Sequence, residues 1–295
     1  CKRSPLCGRN FEYFSEDPYH TAHMAAALVQ GVQERGIGCA VKHFALNNQE
    51  TDRMTIDVQA DERALREIYL QAFAYVVKHA KPWMIMCAYN RLNGAFCSEN
   101  GRLLREILRE EWGFEGLTVS DWGAVDDRVA ALRAGLDLEM PDSGPHNTRL
   151  IIDAVENNTL SEGILDRAAE RIVDLALRGT RNKKKQFTVD YPRHHALAKR
   201  AALESIVLMK NEGGVLPLSK KGDLAVIGAL ASRMRIQGAG SSRVNPVKEE
   251  NLFETLAKAA TPAVGITYAQ GYRLDSGATE KKMVEEAIET ARQCR

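Results

Sequence analysis

The chain has 295 residues, of which 44% are hydrophobic and 27% are charged, and its formal net charge is +1. This composition is ordinary for a globular protein with one large domain or two. The near balance of 40 basic and 39 acidic side chains gives no reason to expect a nucleic acid or an anionic membrane as partner. No apolar run approaches the roughly 20 residues that a membrane-spanning helix needs.

The first two-thirds of the chain alternate apolar runs with helical patterns. Predicted strands are CAVKHF, MIMCAYN, LTVSDWG and LDLEMP. The first predicted helix is opened by Asp17-Pro18 and stopped at Gly36, the second is capped by Asp61, and the third starts at Ser98 and closes at Gly113. The segment AVDDRVAALRAG predicts a fourth helix. Two more are predicted over 146–157 and 161–178, the second of them capped by Ser161. Repeated strand-helix units predict a parallel sheet covered by helices, an α/β fold.

Two architectures fit this alternation, an open doubly wound sheet and a TIM-type barrel. Each predicted strand ends in polar residues, namely Lys42-His43, Tyr89-Asn90, Asp121 and Glu139. In a barrel these ends meet on one face, where barrel enzymes place their active sites, whereas an open sheet gathers such residues near its switch point. The pattern favours the barrel, and four strands make only half of one, so we expect the other half to lie upstream of Cys1.

A basic, polar stretch over 179–195 interrupts the apolar periodicity and predicts a linker. The segment 196–295 then begins a second α/β unit, with a predicted helix that runs into a turn, the strands DLAVIGAL and GITYAQGY, and a last helix TEKKMVEEAIETARQ. The predicted organisation is therefore a partial barrel over 1–178, a linker over 179–195 and a partial α/β domain over 196–295.

The six cysteines form no CxxC pair, and the seven histidines form no HExxH motif or cluster at metal spacing. We therefore predict no metal and free core thiols, which favours a cytoplasmic location. The chain begins at Cys1 in dense motif-like sequence without a signal peptide, so this end does not decide export.

Asp121 is the leading candidate for chemistry, in the segment LTVSDWG. A carboxylate at the tip of a buried strand must be hydrogen-bonded, paired or functional, and the competing interpretation is a cap of the following helix. The indole of Trp122 beside it suits the C–H face of a sugar, although core packing is the alternative.

Further candidates for sugar contacts lie at other strand ends and in GRNFEYFSEDP. Lys42 and His43 are donors at the end of one strand, and both reach one site only if the strand end bends. Tyr89 offers a phenolic donor, and Arg9 offers a planar fork for vicinal hydroxyls. Each of these has a structural role as its alternative, and Met86 alone would be assigned to the core.

Gly238, Gly240, Ser241 and Ser242 lie in GAGSSRVNP, which invites a dinucleotide-binding hypothesis. The segment lacks the third glycine and the spacing of GxGxxG, and Asn245-Pro246 breaks the helix that the motif needs. We therefore expect a loop that faces the barrel mouth and no nucleotide cofactor.

Taken in order, RSPLCGRNFEYFSEDP, VKHFALNNQETDR, MIMCAYNRLNG, LTVSDWGA, LESIVLMKNEGGVLPL and GAGSSRVNP resemble the motifs of glycoside hydrolase family 3, over nearly the whole chain. The resemblance implies a TIM-type (β/α)8 barrel followed by an α/β sandwich domain, with the active site between them. It implies a retaining β-glucosidase that needs no cofactor and acts on β-linked glucosides. The segment after Lys42-His43 is the glucosidase-like form, which makes the β-N-acetylglucosaminidase branch a weaker match.

The resemblance also implies roles for individual residues. Asp121 is the nucleophile of the SDW motif, and Arg9, Lys42 and His43 bind hydroxyls of the sugar. Met86 and Tyr89 flank the nucleophile, and Trp122 lies against the sugar.

One catalytic group of the family has no counterpart in this sequence. The acid/base Glu is expected on a loop beyond the helix over 279–294, and Glu139, Glu249 and Glu250 are unconvincing substitutes. We therefore expect an internal fragment of a longer enzyme with little activity of its own. Alternatives are a same-family β-xylosidase or β-N-acetylglucosaminidase, a catalytically incomplete sugar-binding fragment, and a nucleotide-dependent enzyme.

Overall fold

The structure is a computed structural model that describes residues 1–181, 187–236 and 242–294. The chain divides into two compact units, Cys1–Phe187 and Thr188–Arg295. Both units are mixed α/β structures, as the alternation of strand and helix patterns predicts. Gly238, Gly240 and Ser241 of the glycine-rich segment lie outside the described residues, so the loop expected there has no structural description.

The first unit is built around a short parallel sheet. Its strands are, in chain order, β1 (Ala40–Phe44), β2 (Asp57–Val58), β3 (Met84–Cys87), β4 (Arg91–Leu92), β5 (Ala95–Phe96) and β6 (Leu117–Val119). β1, β3 and β6 pair in that order as parallel strands, and β2, β4 and β5 form a second small sheet. Because β1, β3 and β6 run the same way, their carboxyl ends share one edge. Within the described residues these strands do not close a barrel.

Helices cover this sheet. They are α1 (Pro18–Gln33), α2 (Glu62–Ala64), a π-helical segment (Leu65–Tyr69), α3 (Gln71–Ala80), a second π-helical segment (Arg102–Glu111), α4 (Arg128–Ala134), α5 (Pro145–Glu156) and α6 (Glu162–Arg181), with 3-10 turns at Asn10–Glu12 and Cys97–Glu99. The helix starts expected at Asp17 and Asp61 are confirmed, since their carboxylates accept the N–H groups of Tyr19 and Ala64.

Three clusters of buried apolar side chains hold these elements together, two of which lie around the sheet and α1. Phe44 of β1 is fully buried and meets the rings of Phe73 and Trp112 edge to face, with ring centroids 5.1 and 5.9 Å apart. A second cluster joins α1 to α3 through Val29 and Val76. Burying each of these side chains contributes on the order of 2 kcal/mol, so the core fixes the sheet edge on which the polar strand ends lie.

The helix expected to start at Ser98 begins further along the chain. The hydroxyl of Ser98 is buried and donates to the carbonyl of Ala124, so it is not available as a cap. Asn100 takes that role, because its side-chain oxygen accepts the N–H of Leu103 at 3.0 Å. Gly113 follows the helical segment at φ +70°, as the predicted stop requires.

The fourth strand predicted in LDLEMP is wrong as a strand and is reduced to a single bridge between Leu138 and Val119. The ladder stops because the N–H of Met140 donates to the hydroxyl of Ser120 at 2.8 Å. Pro141, the next residue, has no N–H to donate.

The second unit contains one parallel strand pair, four α-helices and a 3-10 turn at Glu212–Gly214 in its described part. These elements are α7 (Tyr191–Ser205), β7 (Gly222–Ile227), α8 (Ala229–Ser232), α9 (Leu252–Ala259), β8 (Val264–Ala269) and α10 (Lys281–Gln293). β7 and β8 pair over six residues without a break. Both predicted strands and the last helix are therefore confirmed.

All six cysteines lie in the described part of the chain, and none forms a disulfide. The described residues contain no group of three His, Cys, Asp or Glu side chains that could hold a metal ion. Among the described helices, none is long and apolar enough to cross a membrane.

Candidate active site

Asp121 lies two residues beyond β6, at the carboxyl edge of the sheet, and is 9% exposed. Its Oδ1 accepts the N–H of Trp122 at 2.7 Å, and its backbone carbonyl accepts the N–H of Ala124 at 3.1 Å. Gly123 has φ +75°, in the left-handed region that favours glycine. A tight turn therefore holds the carboxylate at the strand tip and leaves Oδ2 outside this local bonding.

The following helix does not use Asp121 as its cap. Asp127 does so instead, because its carboxylate accepts the N–H groups of Val129 and Ala130 at 2.9 Å each. Of the two interpretations left open by the sequence, the cap is excluded. A buried carboxylate without a capping role remains a candidate for chemistry.

Lys42 and His43 both face the candidate site, although they are neighbours on one strand. The ladder between β1 and β3 is irregular at this point, which gives the strand the bend that two adjacent side chains need. The Nζ of Lys42 lies 3.0 Å from Oε2 of Glu12, and Nε2 of His43 lies 3.4 Å from Oδ2 of Asp121.

Glu12 joins two of the predicted sugar-binding cations. The Nε of Arg9 donates to one of its oxygens, and the ammonium of Lys42 contacts the other. Burial alone raises the pKa of Glu12, but the hydrogen bonds from Arg9 and then Lys42 outweigh it and leave that pKa below its ordinary value. Glu12 is therefore an ionised bridge between the two cations.

His43 is 4% exposed and lies between Tyr13 and Asp121. Its Nδ1 is 2.9 Å from the hydroxyl of Tyr13. Burial, followed by the charges of Arg9 and Lys42, lowers the pKa of His43 to about 3. The 3.4 Å contact with Asp121 therefore joins a neutral imidazole to a carboxylate.

Tyr89 contacts both the turn that follows Asp121 and the side chain of Arg53. The hydroxyl of Tyr89 donates to the backbone carbonyl of Trp122 at 2.9 Å. The guanidinium of Arg53 lies 4.7 Å from the centre of the Tyr89 ring and pairs with Glu50 at 2.6 Å. Burial, followed by the charge of Asp121, raises the pKa of Tyr89, so its hydroxyl keeps its proton.

Met86 and Trp122 are the remaining two residues predicted for the site. Met86 is half-buried in β3, in register with Val119 of β6. Trp122 has 56% of its surface exposed, so its indole is not core packing in this unit. The structure thus gathers Arg9, Lys42, His43, Tyr89 and Asp121 at one sheet edge. Met86 and Trp122 lie beside them.

Sequence reasoning missed Glu12, Tyr13 and Arg53, although all three lie in the quoted motif segments. A signal existed for Glu12, because an acidic residue three positions after Arg9 pairs with it on a helical turn. Tyr13 and Arg53 become visible only when segments distant in the chain are brought together.

The combined geometry places a buried carboxylate and a buried imidazole side by side, with polar atoms on both that are unpartnered in the described part of the chain. Oδ2 of Asp121 and Nε2 of His43 are buried, and within the described residues neither has a hydrogen-bond partner. Such atoms carry a desolvation cost unless a ligand bonds to them. Arg9 and Lys42 lie near enough to His43 for their charges to lower its pKa, and they are donors of the kind that bind hydroxyls.

Two family models match the chain in order. Residues 1–175 match the glycosyl hydrolase family 3 N terminal domain, and residues 206–294 match the glycosyl hydrolase family 3 C-terminal domain. The chain belongs to glycoside hydrolase family 3. The resemblance of its motifs to that family is thereby confirmed.

Named relatives of this family 3 chain are glycosidases. It is 51% identical over 290 residues to thermostable beta-glucosidase B of Acetivibrio thermocellus, covering 98% of this chain and 38% of that relative. It is 44% identical over 306 residues to an exo-alpha-(1->6)-L-arabinopyranosidase of Bifidobacterium longum, covering 99% of this chain and 39% of that relative. The chain thus spans less than half the length of these relatives.

Solved structures of beta-glucosidases share the fold of this family 3 chain. The Bifidobacterium adolescentis GH3 beta-glucosidase matches with a TM-score of 0.91 at 44% identity, covering 100% of this chain and 43% of that one. Beta-glucosidase 3B from Thermotoga neapolitana, in complex with alpha-D-glucose, matches with a TM-score of 0.83 at 37% identity, covering 98% and 39%.

Proposed function

We propose that the chain carries the nucleophile side of a retaining β-glucosidase site, in which Asp121 attacks terminal β-glucosyl residues. The observation that carries the proposal is the buried Oδ2 of Asp121, left without a hydrogen-bond partner among the described residues and flanked by neutral His43. The beta-glucosidase relatives and structures support the substrate class.

In the first step Oδ2 of Asp121 forms a bond to the anomeric carbon of the glucosyl residue. The glycosidic C–O bond breaks, and its electron pair passes to the leaving oxygen, which takes a proton from a second carboxylic acid. Glu12 is a poor source of that proton, because its two cations hold its pKa low. The resemblance assigns this acid to a Glu of the second domain.

In the second step water attacks the anomeric carbon of the glycosyl-enzyme and restores the Asp121 carboxylate. The second carboxylate, roughly 5–5.5 Å from the nucleophile in retaining enzymes, takes the proton from that water. Two inversions at the same carbon give net retention, so the β-glycoside yields a β-sugar.

The other residues bind and orient the sugar in this proposal. Arg9, Lys42 and His43 donate hydrogen bonds to its hydroxyls, and Tyr89 and Met86 flank Asp121. Trp122 offers its exposed indole to the C–H face of the ring. Because Glu12 joins Arg9 to Lys42, the two cations are positioned before the sugar arrives.

We also propose the finer architecture. β1, β3 and β6 are successive strands of a TIM-type (β/α)8 barrel over residues 1–178, followed by a linker over 179–195, whose two ends are the last residues of α6 and the first residues of α7. The α/β sandwich domain begins at 196. The shared carboxyl edge of the three parallel strands and the order of the two family models support this arrangement.

Product stereochemistry tests the mechanism. With an aryl β-glucoside and proton NMR during the first minutes, the protein is expected to release β-glucose before mutarotation produces the α form. First release of α-glucose would show inversion, and Asp121 would then not be a nucleophile.

A second substrate is favoured by the arabinopyranosidase relative, which is 44% identical. Both substrates are pyranosides and would use the same nucleophile. Comparison of kcat/KM for the aryl β-glucoside and the aryl α-L-arabinopyranoside separates them, and the β-glucoside is expected to have the higher value.

A further inference from the structure

Tyr13 lies behind His43, on the side opposite Asp121. Its hydroxyl oxygen is 2.9 Å from Nδ1 of His43 and 3.2 Å from the backbone carbonyl oxygen of Asn47. On the other side of the ring, Nε2 of His43 faces Oδ2 of Asp121 at 3.4 Å. The three side chains therefore form a line from a phenol through an imidazole to the proposed nucleophile.

The phenol has one proton, and the two ways of placing it have opposite consequences. If Tyr13 donates to Asn47, Nδ1 of His43 must carry the ring proton, and the lone pair of Nε2 then faces a carboxylate. If Tyr13 donates to Nδ1, the ring proton is on Nε2, the nitrogen that lies 3.4 Å from Oδ2 of Asp121. Only the second arrangement avoids placing two acceptors against each other in a buried site.

We propose that Tyr13 is a positioning residue that fixes His43 as the Nε2–H tautomer, so that the imidazole presents a proton donor beside Oδ2 of Asp121. The low pKa of His43 is consistent with this, since a neutral ring has a single proton to place. The catalytic role of this tautomer rests on the proposed function, in which Nε2–H of His43 donates to the hydroxyls of a sugar bound at Asp121.

The pairing of neighbours supports the same assignment. Glu12 and Tyr13 are adjacent in the chain, and so are Lys42 and His43. Glu12 contacts the ammonium of Lys42, and Tyr13 contacts the imidazole of His43. One short segment thus orients two consecutive side chains at the end of β1.

The test is the tautomer of His43, read from the nitrogen shifts of protein labelled with ¹⁵N-histidine and assigned by the loss of its signals in His43→Gln. The unchanged protein is expected to show the Nε2–H tautomer at pH 7. The Nδ1–H tautomer there would overturn the proposal by itself, whatever the behaviour of any variant.

Tyr13→Phe keeps the ring and removes the hydroxyl. We expect a detectable Nδ1–H fraction of His43 in this variant and a fall in kcat/KM of about tenfold. Tyr19→Phe, which changes an exposed tyrosine on α1, is the matched control and is expected to leave both readouts unchanged. A Tyr13→Phe protein with the wild-type tautomer and wild-type kcat/KM contradicts the proposal.

The tautomer needs no turnover, so the two proposals fail separately. If a 2-deoxy-2-fluoro-β-glucoside forms no adduct on Asp121 but Tyr13→Phe still shifts the tautomer, the positioning role of Tyr13 holds and the proposed function is wrong. If the protein is active and His43 carries its proton on Nδ1, the proposed function holds and the positioning role of Tyr13 is wrong.

Discussion

The carboxylate of Glu12 is the point at which two proposed sugar-binding cations meet. It is largely buried and accepts contacts from Arg9 and Lys42 on different oxygens. Hydrogen bonds to charged groups contribute about 1.5–3 kcal/mol each, so this one side chain has a large influence on the geometry of the site. The spacing of three residues from Arg9 is the sequence feature that could have singled out Glu12, whereas its contact with Lys42 joins distant positions.

Glu12→Gln is expected to lower kcat/KM for an aryl β-glucoside roughly ten- to a hundredfold, because a neutral amide releases the ammonium of Lys42. Because the same contacts stabilise the fold, the melting temperature is expected to fall as well, so kcat/KM is compared at a temperature at which both proteins are folded. Glu16→Gln, at an exposed position of the same segment, is the control and should leave kcat/KM unchanged. Unchanged kcat/KM in Glu12→Gln would remove its positioning role.

The neutrality of His43 predicts a pH dependence of stability. The folded-state pKa of about 3 lies below the ordinary 6.5, so between these values the unfolded chain binds more protons than the folded one. The stabilisation is complete above about pH 6.5 and is lost as the pH falls toward 3.

Relative to His43→Gln, which does not titrate, the wild-type free energy of unfolding is therefore expected to fall by about 2–3 kcal/mol from pH 7.5 to pH 4.5. Urea unfolding followed by tryptophan fluorescence measures this in the first unit, which contains all three tryptophans. A difference that does not vary with pH would contradict the buried, neutral assignment.

At the scale of elements, β6 is held in place by Asp137. This residue is 2% exposed, and its Oδ2 accepts the N–H of Thr118 at 2.8 Å and the guanidinium of Arg109 at 2.7 Å. Its Oδ1 pairs with Arg171 at 2.8 Å. Because Thr118 lies three residues before Asp121, this network positions the strand that carries the proposed nucleophile.

Asp137→Ala is expected to destabilise the first unit by about 3–5 kcal/mol, since it leaves the largely buried Arg109 without its partner. The control is Asp153→Ala, which removes an exposed pair with Arg149 and is expected to cost less than about 1 kcal/mol. Tryptophan-monitored urea unfolding compares the two. Equal effects would show that the Asp137 network does not stabilise β6.

The helices and the three central strands could be predicted because local signals determine them. Asp17 and Asp61 cap helices, and the apolar runs before His43, Tyr89 and Asp121 form the strands. The predicted fourth strand failed for a nonlocal reason, since the hydroxyl of Ser120 takes the N–H that the ladder needed. Ser98 failed as a cap for the same kind of reason, because its hydroxyl bonds to Ala124.

The residues of the candidate site divide in the same way, into those that local sequence indicates and those that only the folded structure brings together. Strand ends pointed to Asp121, Lys42, His43 and Tyr89, side-chain chemistry added Arg9 and Trp122, and the family motifs added Met86. Tyr13 could not be found, because its contact with His43 joins positions 30 residues apart. Contacts of that kind depend on packing, which the order of residues alone does not reveal.

At the scale of the whole molecule, the two compact units correspond to the order of two family domains. The proposed nucleophile and the predicted sugar ligands all lie in the first unit. The chain spans 38% of the Acetivibrio thermocellus relative, so a test of the central claim should depend on Asp121 and little on the acid/base group. A sugar with a good leaving group meets that requirement, because its departure needs little protonation.

The most direct measurement is intact-protein mass spectrometry after incubation with a dinitrophenyl 2-deoxy-2-fluoro-β-glucoside. A single covalent adduct is expected, and fragmentation of the tryptic peptide over 110–128 should place it on Asp121. Asp126→Asn should be labelled like the wild type, and Asp121→Asn should not be labelled. An adduct on another carboxylate, or undiminished labelling of Asp121→Asn, would contradict the assignment of Asp121 as nucleophile.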